Sequence, residues 1–274
     1  MIYFKLLKIS HLIISKLCQK STLKRLNQQG EEGGHLVRAF SKTTGNPSPE
    51  TRAVFEKLEA FRAALKEDQR NISFKEIGSD STMTVAAVSE KAASPKIWAR
   101  FFYHLTQTAT VQNVLEIGTN LGISGQYFLK GLASKKNSQF ITLEGVKGLC
   151  EIANTRFAAL TAEQKFEVIH GLYDQTLINV VNKDILFDLV FIDGNHHYEA
   201  TLKYFEMLKP KLSTGAMVIF DDIHWSRGMR RAWRDICRQK GIRFTVNFFK
   251  LGIAVYDPNH QGSSQADYQL FIST

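Results

Sequence analysis

From Asn113 onward, short apolar runs alternate with helical stretches, and this alternation organises the chain. The runs are 114–117, 140–143, 166–169, 187–192 and 216–220, with helical segments beginning near Leu121, Val146, Asp174, Tyr198 and Ser226. Strands separated in this way by helices predict a parallel sheet with right-handed crossovers, covered on both faces. Two further strand runs, 244–249 and 253–256, are joined by a link containing Gly252 and predict a hairpin, with an antiparallel strand at or near one edge. Before Asn113 the pattern is helical. Ser48 and Pro49 open a helix carrying Val54, Leu58, Phe61 and Leu65, a loop surrounds Ser79 to Ser81, and Pro95 opens a helix with Ile97, Trp98, Phe101, Phe102 and Leu105. Breaker-rich stretches at 30–34 and 44–49 bracket a segment too short to fold alone. Residues 1–50 therefore read as an extension, 51–110 as a helical lead-in, 111–258 as the main domain and 259–274 as a tail.

Composition adds bounds. With 274 residues and 44% hydrophobic content the chain can bury a full core. Cys18, Cys150 and Cys237 are odd in number and far apart, which excludes a disulfide framework and a Cys/His zinc site and makes a reducing cytoplasm the default. The net charge of +9 is concentrated at the start, where Lys5, Lys8, Lys16, Lys20, Lys24 and Arg25 precede the first acid, Glu31. The apolar run Leu12-Ile-Ile14 is far too short to span a membrane, so the N-terminus is expected to dock on the body or lie on a membrane surface rather than to cross it. The basic helix from Ser226 to Arg238, with Met229, Trp233 and Ile236 on an inward stripe, is most simply a solvated face and gives no firm nucleic-acid signal.

Candidate chemistry lies at the strand ends, where open parallel sheets bind ligands. The first strand ends in Glu116 and Gly118, the second in Glu144, the third in His170 and Gly171, the fourth in Asp193, the fifth in Asp221 and Asp222. Gly118 and Gly122 form a tight turn into a helix N-terminus, and Glu144 is placed to accept hydrogen bonds from ribose hydroxyls, which together indicate a nucleoside cofactor. Thr119 and Asn120 stand where a dinucleotide-binding turn would carry its middle glycine, so the turn suits something less bulky than a diphosphate.

Glu116-Ile-Gly-Thr-Asn-Leu-Gly122, Thr142-Leu-Glu144, Phe187-Asp-Leu-Val-Phe-Ile-Asp193 and Val218-Ile-Phe-Asp-Asp222 resemble the successive motifs of class I S-adenosylmethionine-dependent methyltransferases. Within that class they are most similar to small-molecule O-methyltransferases, including catechol O-methyltransferase and metal-dependent sugar O-methyltransferases, over roughly residues 95–257. The resemblance implies an α/β, Rossmann-like, mostly parallel seven-stranded sheet with an antiparallel C-terminal hairpin. It implies cofactor contacts from Glu116, Gly118, Thr119, Asn120, Gly122 and Ser124 of the turn, from Glu144 and Gly145, from Gly171 and Tyr173 near the adenine, and from Asp193. It also implies a divalent cation on Asp193, Asp221 and Asp222, with Mg²⁺ the natural choice for oxygen-only ligands. Three converging carboxylates repel one another unless a cation neutralises them, and a metal-bound hydroxyl would be acidified and oriented. By spacing from Asp193, His196 falls where catechol O-methyltransferase carries a lysine base, so His196 and then His197 are the candidate proton acceptors, with Asp193 beside them. Alternatives at this stage are that Asp221 or Asp222 merely caps a helix, that the acceptor is RNA or protein, and that the chain is a non-catalytic, membrane-associated cofactor-binding accessory. The expected partner is a small-molecule hydroxyl, with membrane contact through the N-terminus and a homodimer as further expectations.

Overall fold

The computed structural model describes residues 2–161, 165–262 and 266–272, with residues 2–6 described by backbone alone. In chain order the elements are α1 (Ile2–Asn27), α2 (Gly30–Thr44), α3 (Pro49–Lys66), β1 (Asn71–Ser73), β2 (Thr82–Thr84), α4 (Val85–Ala92), α5 (Lys96–Thr106), β3 (Asn113–Ile117), α6 (Ile123–Leu132) and β4 (Gln139–Glu144). There follow α7 (Lys147–Ala158), β5 (Phe166–His170), α8 (Tyr173–Val181), β6 (Phe187–Ile192), α9 (Tyr198–Leu208), β7 (Leu212–Phe220), α10 (Arg227–Cys237), β8 (Ile242–Asn247), β9 (Gly252–Tyr256) and β10 (Asp267–Gln269). Two compact units divide them: Ala39–Asp184, and the residues up to Arg38 together with those from Ile185 onward.

In Ala39–Asp184, β4 pairs in parallel with β3 on one side and β5 on the other. Every apolar residue of β3 and β4 is fully buried, as expected for strands covered on both faces. The aromatic positions of α5 face inward: Trp98, Phe101, Phe102 and Leu105 are at most 2% exposed, and Phe102 stacks on Phe128 of α6 at 5.0 Å. Burial of each such side chain contributes roughly 1.5–3 kcal/mol. Ser48 caps α3, accepting from the Thr51 N–H at 3.3 Å. The expected loop at Ser79 to Ser81 is present, flanked by a short antiparallel pair, β1–β2, that the sequence did not announce.

In the other unit β6 and β7 are parallel, β9 is antiparallel to both β7 and β8, and β10 lies parallel to β8. The antiparallel strand of the hairpin is therefore interior, between β7 and β8. Among the described strands, the five here and the three of Ala39–Asp184 other than the β1–β2 pair are those of the expected Rossmann-like class, with β10 an addition to the seven expected. Of the expected tail, residues 263–265 and 273–274 lie outside the described residues.

The stretch 30–34 is not a break but the start of α2. Glu31 and Glu32 occupy its first turn, where carboxylates complement the free N–H groups. At Gly33 a Cβ would lie 2.1 Å from the Leu26 carbonyl oxygen, so the glycine permits α2 to approach the end of α1. α1 docks within its own unit: His11 Nε2 is 3.0 Å from the Leu270 carbonyl, and the Arg25 guanidinium lies 5.5 Å over the Tyr268 ring. Arg243 of β8 donates to the Gln29 carbonyl at 2.9 Å and pairs with Glu32. Among the described residues no helix is long and apolar enough to cross a membrane.

Candidate active site

The turn after β3 is held by backbone geometry. Gly118, Asn120 and Gly122 have φ of 105°, 49° and 77°, which glycine adopts without a Cβ penalty and which Asn120 tolerates with its Oδ1 accepting from the Leu121 N–H at 2.7 Å. The N–H groups of Gly118 and Thr119 both donate to the Leu143 carbonyl, at 3.0 and 3.1 Å, which seats the turn on the end of β4. There Glu144 accepts from the Asn120 N–H (2.8 Å) and the Val146 N–H (3.0 Å), one on each carboxylate oxygen, with the Gly145 N–H also turned to it, fewer donors than its roughly four lone-pair sites can take. Burial raises its pKa, and the backbone donors pull partly the other way. Glu116 lies beneath, fully buried, accepting from Ser124 Oγ and from Thr142 Oγ1 at 2.8 Å, while Thr142 also meets Thr119 Oγ1 at 2.5 Å. Burial pushes Glu116 up to about 8, so it is a neutral carboxylic acid at pH 7. The Gly171 N–H donates to the Glu144 carbonyl at 2.9 Å, and Tyr173 opens α8 just beyond. Glu76 accepts from the Lys147 N–H at 2.7 Å and meets His170 Nε2 at 3.3 Å, and Ile77 packs against Gly145.

In the other unit the loops after β6 and β7 bring Asp193, Asp221 and Asp222 together with Lys250, from the turn between β8 and β9. The Lys250 ammonium bonds Asp221 Oδ2 at 2.8 Å and Asp222 Oδ1 at 2.9 Å. Burial alone would lower its pKa, but the charges and hydrogen bonds of the two aspartates reverse this and raise it. Asp193 has an 18% exposed side chain beside Asp221; burial first, and then the Asp221 charge, raises its pKa well above the ordinary value. His196 Nε2 lies 3.6 Å from Asp193 Oδ1. His197 is the N-cap of α9, and its carbonyl accepts from the Thr201 hydroxyl at 2.8 Å. His224 stacks on Phe249 at 4.6 Å; burial, then the nearby His11 and Arg230, lower it to about 4, so it is neutral at pH 7. His196, His197, Ser226, Arg227 and Arg231 line an open cavity of about 440 Å³.

Residues 115–223 match the model of a family described as a methyltransferase domain. The chain carries a methyltransferase domain. Solved structures share its fold at low identity. An O-methyltransferase from Bacillus cereus in complex with SAH aligns at 21% identity over 81% of this chain and 97% of its own, with a TM-score of 0.57. The SAH-bound methyltransferase of Podospora anserina aligns at 14% over 77% and 97%, TM-score 0.54. An O-methyltransferase of tomaymycin synthesis from Streptomyces achromogenes, in complex with SAM, aligns at 20% over 61% and 82%, TM-score 0.52. Identities this low carry the fold alone. No curated protein matches the sequence.

In the methyltransferase domain the predicted residues fall into separate groups. Asn120, Glu144, Gly145 and Gly171 meet around one carboxylate, and the spare lone pairs of Glu144 suit the hydroxyls of a nucleoside. Glu116 and Ser124 support the turn from below. Asp193, His196, Asp221 and Asp222 share a neighbourhood in the other unit. A divalent ion fits that neighbourhood poorly: two of its carboxylates already carry the Lys250 ammonium, and among the described residues no group of three or more His, Cys, Asp or Glu side chains is disposed to hold a metal. Sequence reasoning missed Lys250, Thr142, Glu76 and Ile77. Thr142 was within the quoted second motif, and its place beside Glu116 follows once the β3–β4 register pairs the two.

Proposed function

We propose that the protein transfers a methyl group from S-adenosylmethionine to the hydroxyl of a small molecule. The observation that carries this reading is Glu144, whose carboxylate is fixed beside the Gly118–Gly122 turn by the Asn120 N–H with acceptor capacity to spare. The SAM- and SAH-bound O-methyltransferases of like fold support the same donor and the same kind of acceptor. S-adenosylmethionine supplies a methyl carbon made electrophilic by its sulfonium. Glu144 holds and orients the ribose; Gly118, Thr119, Asn120 and Gly122 give the backbone approach; Glu116, as a neutral acid under the turn, keeps Ser124 and Thr142 in place without adding a charge. As the acceptor oxygen bonds to the methyl carbon and the sulfur–carbon bond breaks, the hydroxyl proton passes to an imidazole nitrogen of His196. Asp193 Oδ1 lies 3.6 Å from His196 Nε2, beside the nitrogen that takes the proton. The open cavity beside His196 has arginines at its rim and suits a polar acceptor. No step is assigned to a metal ion. Contact of α1 with an anionic membrane surface belongs to this proposal too, since Ile9, Ile13, Ile14 and Leu17 are at least half exposed alongside its lysines.

Calorimetry with S-adenosylmethionine tests the donor half: Glu144→Ala weakens binding at least tenfold, with circular dichroism reporting that the fold is kept, and an unchanged affinity removes the ribose assignment. A screen of metabolite fractions with labelled donor then finds the acceptor, on which His196→Ala slows transfer at least a hundredfold while donor affinity is unchanged. If His197→Ala has that effect instead, the base is His197.

A further inference from the structure

The cation of the carboxylate cluster is covalently attached. The tip of the β8–β9 hairpin is a tight turn in which Phe248 N–H donates to the Leu251 carbonyl at 2.8 Å and Lys250 N–H to the Phe248 carbonyl at 2.9 Å. Phe249 takes a φ of 69°, unusual for a bulky side chain, and its N–H is held by Asn247 Oδ1 at 2.8 Å. The Lys250 carbonyl in turn accepts from the Ile223 N–H at 3.1 Å, tying the hairpin tip to the residue that follows Asp222. Backbone and side chain of Lys250 thus bind the same loop from both ends. Two of the three ammonium protons are used, on Asp221 Oδ2 and Asp222 Oδ1, and the side chain remains 32% exposed. Asp221, 7% exposed, has its Oδ1 buried without a hydrogen-bond donor.

We propose that Lys250 is the resident cation of the Asp193–Asp221–Asp222 cluster, standing in the place of a divalent metal, with its third N–H directed to an oxygen of the methyl acceptor. Contacts of 2.8–2.9 Å are those of N–H···O bonds, longer than the 2.0–2.6 Å that Mg²⁺ or Ca²⁺ requires, so a metal would have to draw the carboxylates inward and expel the ammonium. The Asp221–Asp222 pair is neutralised in part without any ion from solution, and the two bonded protons fix the direction of the third. The role toward the acceptor rests on the O-methyltransferase reading above; the exclusion of a metal does not.

Electron paramagnetic resonance of Mn²⁺ titrated into the full chain tests the proposal without any acceptor. The wild type is expected to show no saturable binding up to millimolar Mn²⁺, and Lys250→Met to gain one site that disappears again in Lys250→Met/Asp221→Asn. Saturable binding to the wild type that Asp221→Asn abolishes would overturn the proposal, and so would a folded Lys250→Met protein as indifferent to Mn²⁺ as its parent. If Lys250→Met does not fold, Lys250→Gln serves in its place, and the wild-type titration decides by itself. Calorimetry with S-adenosylmethionine on the same samples keeps the two readings apart: failure of the wild type to bind the donor removes the proposed reaction, leaving the Mn²⁺ result to stand on its own.

Discussion

Glu116 illustrates how far one buried carboxyl can reach. Its oxygens organise Ser124 and Thr142 under the turn, and burial drives its pKa to about 8 against an ordinary 4.5. A raised acid pKa means that the folded chain holds a proton which the unfolded chain releases above about pH 4.5, so this contribution to stability is present at low pH and lost as pH rises through 8. Between pH 5 and 8 the wild type should lose on the order of 3 kcal/mol relative to Glu116→Gln, whose side chain does not titrate. Denaturation at several pH values reads the difference directly; parallel curves would mean that Glu116 is ionised in the fold. Much of the site was legible at this scale. Strand-end acids and glycines stand out in a sequence because each ends an apolar run, and His196 follows Asp193 closely enough to be placed by spacing. Lys250 was not legible, because it lies 28 residues beyond Asp222 and reaches it only through a hairpin register that no local pattern encodes.

Among the elements, legibility follows length and regularity. The runs from 114 to 220 announced β3 to β7 because buried parallel strands are nearly continuous apolar stretches, and α5 announced itself by its aromatic stripe. The strands β1, β2 and β10 have three residues each, too few for any periodicity, so no pattern marks the first two beside the Ser79–Ser81 loop and the third falls in the expected tail. The misreading at 30–34 has a different cause: glycines there serve the approach of two helices, and local composition cannot tell that from a turn. Gly33→Val should therefore destabilise the chain by about 2 kcal/mol or more, since the Leu26 carbonyl it would strike is backbone and cannot swing aside. A chemical denaturation midpoint unchanged from wild type would mean that α1 and α2 are not packed as described.

For the molecule as a whole, the N-terminal helix is the main departure from an independent appendage. Its partners include the last described residues of the chain: Tyr268, Leu270 and Ile272 are at most 4% exposed, and His11 bonds the Leu270 carbonyl. Removing residues 1–27 should uncover that apolar strip and lower stability by at least about 2 kcal/mol, with the truncated chain prone to aggregate. Light scattering and thermal melts compare it with the full chain. A truncated protein as soluble and stable as the parent would return α1 to the status of a separate membrane-facing arm. The ion pairs of Lys250 carry a consequence of another kind. A metal reaches its ligands by diffusion and can be stripped, exchanged or starved out, so a site that depends on one inherits the chemistry of its surroundings. An ammonium on the backbone has no such supply line: it arrives with translation, at one per chain, and is lost only when the hairpin that carries it opens.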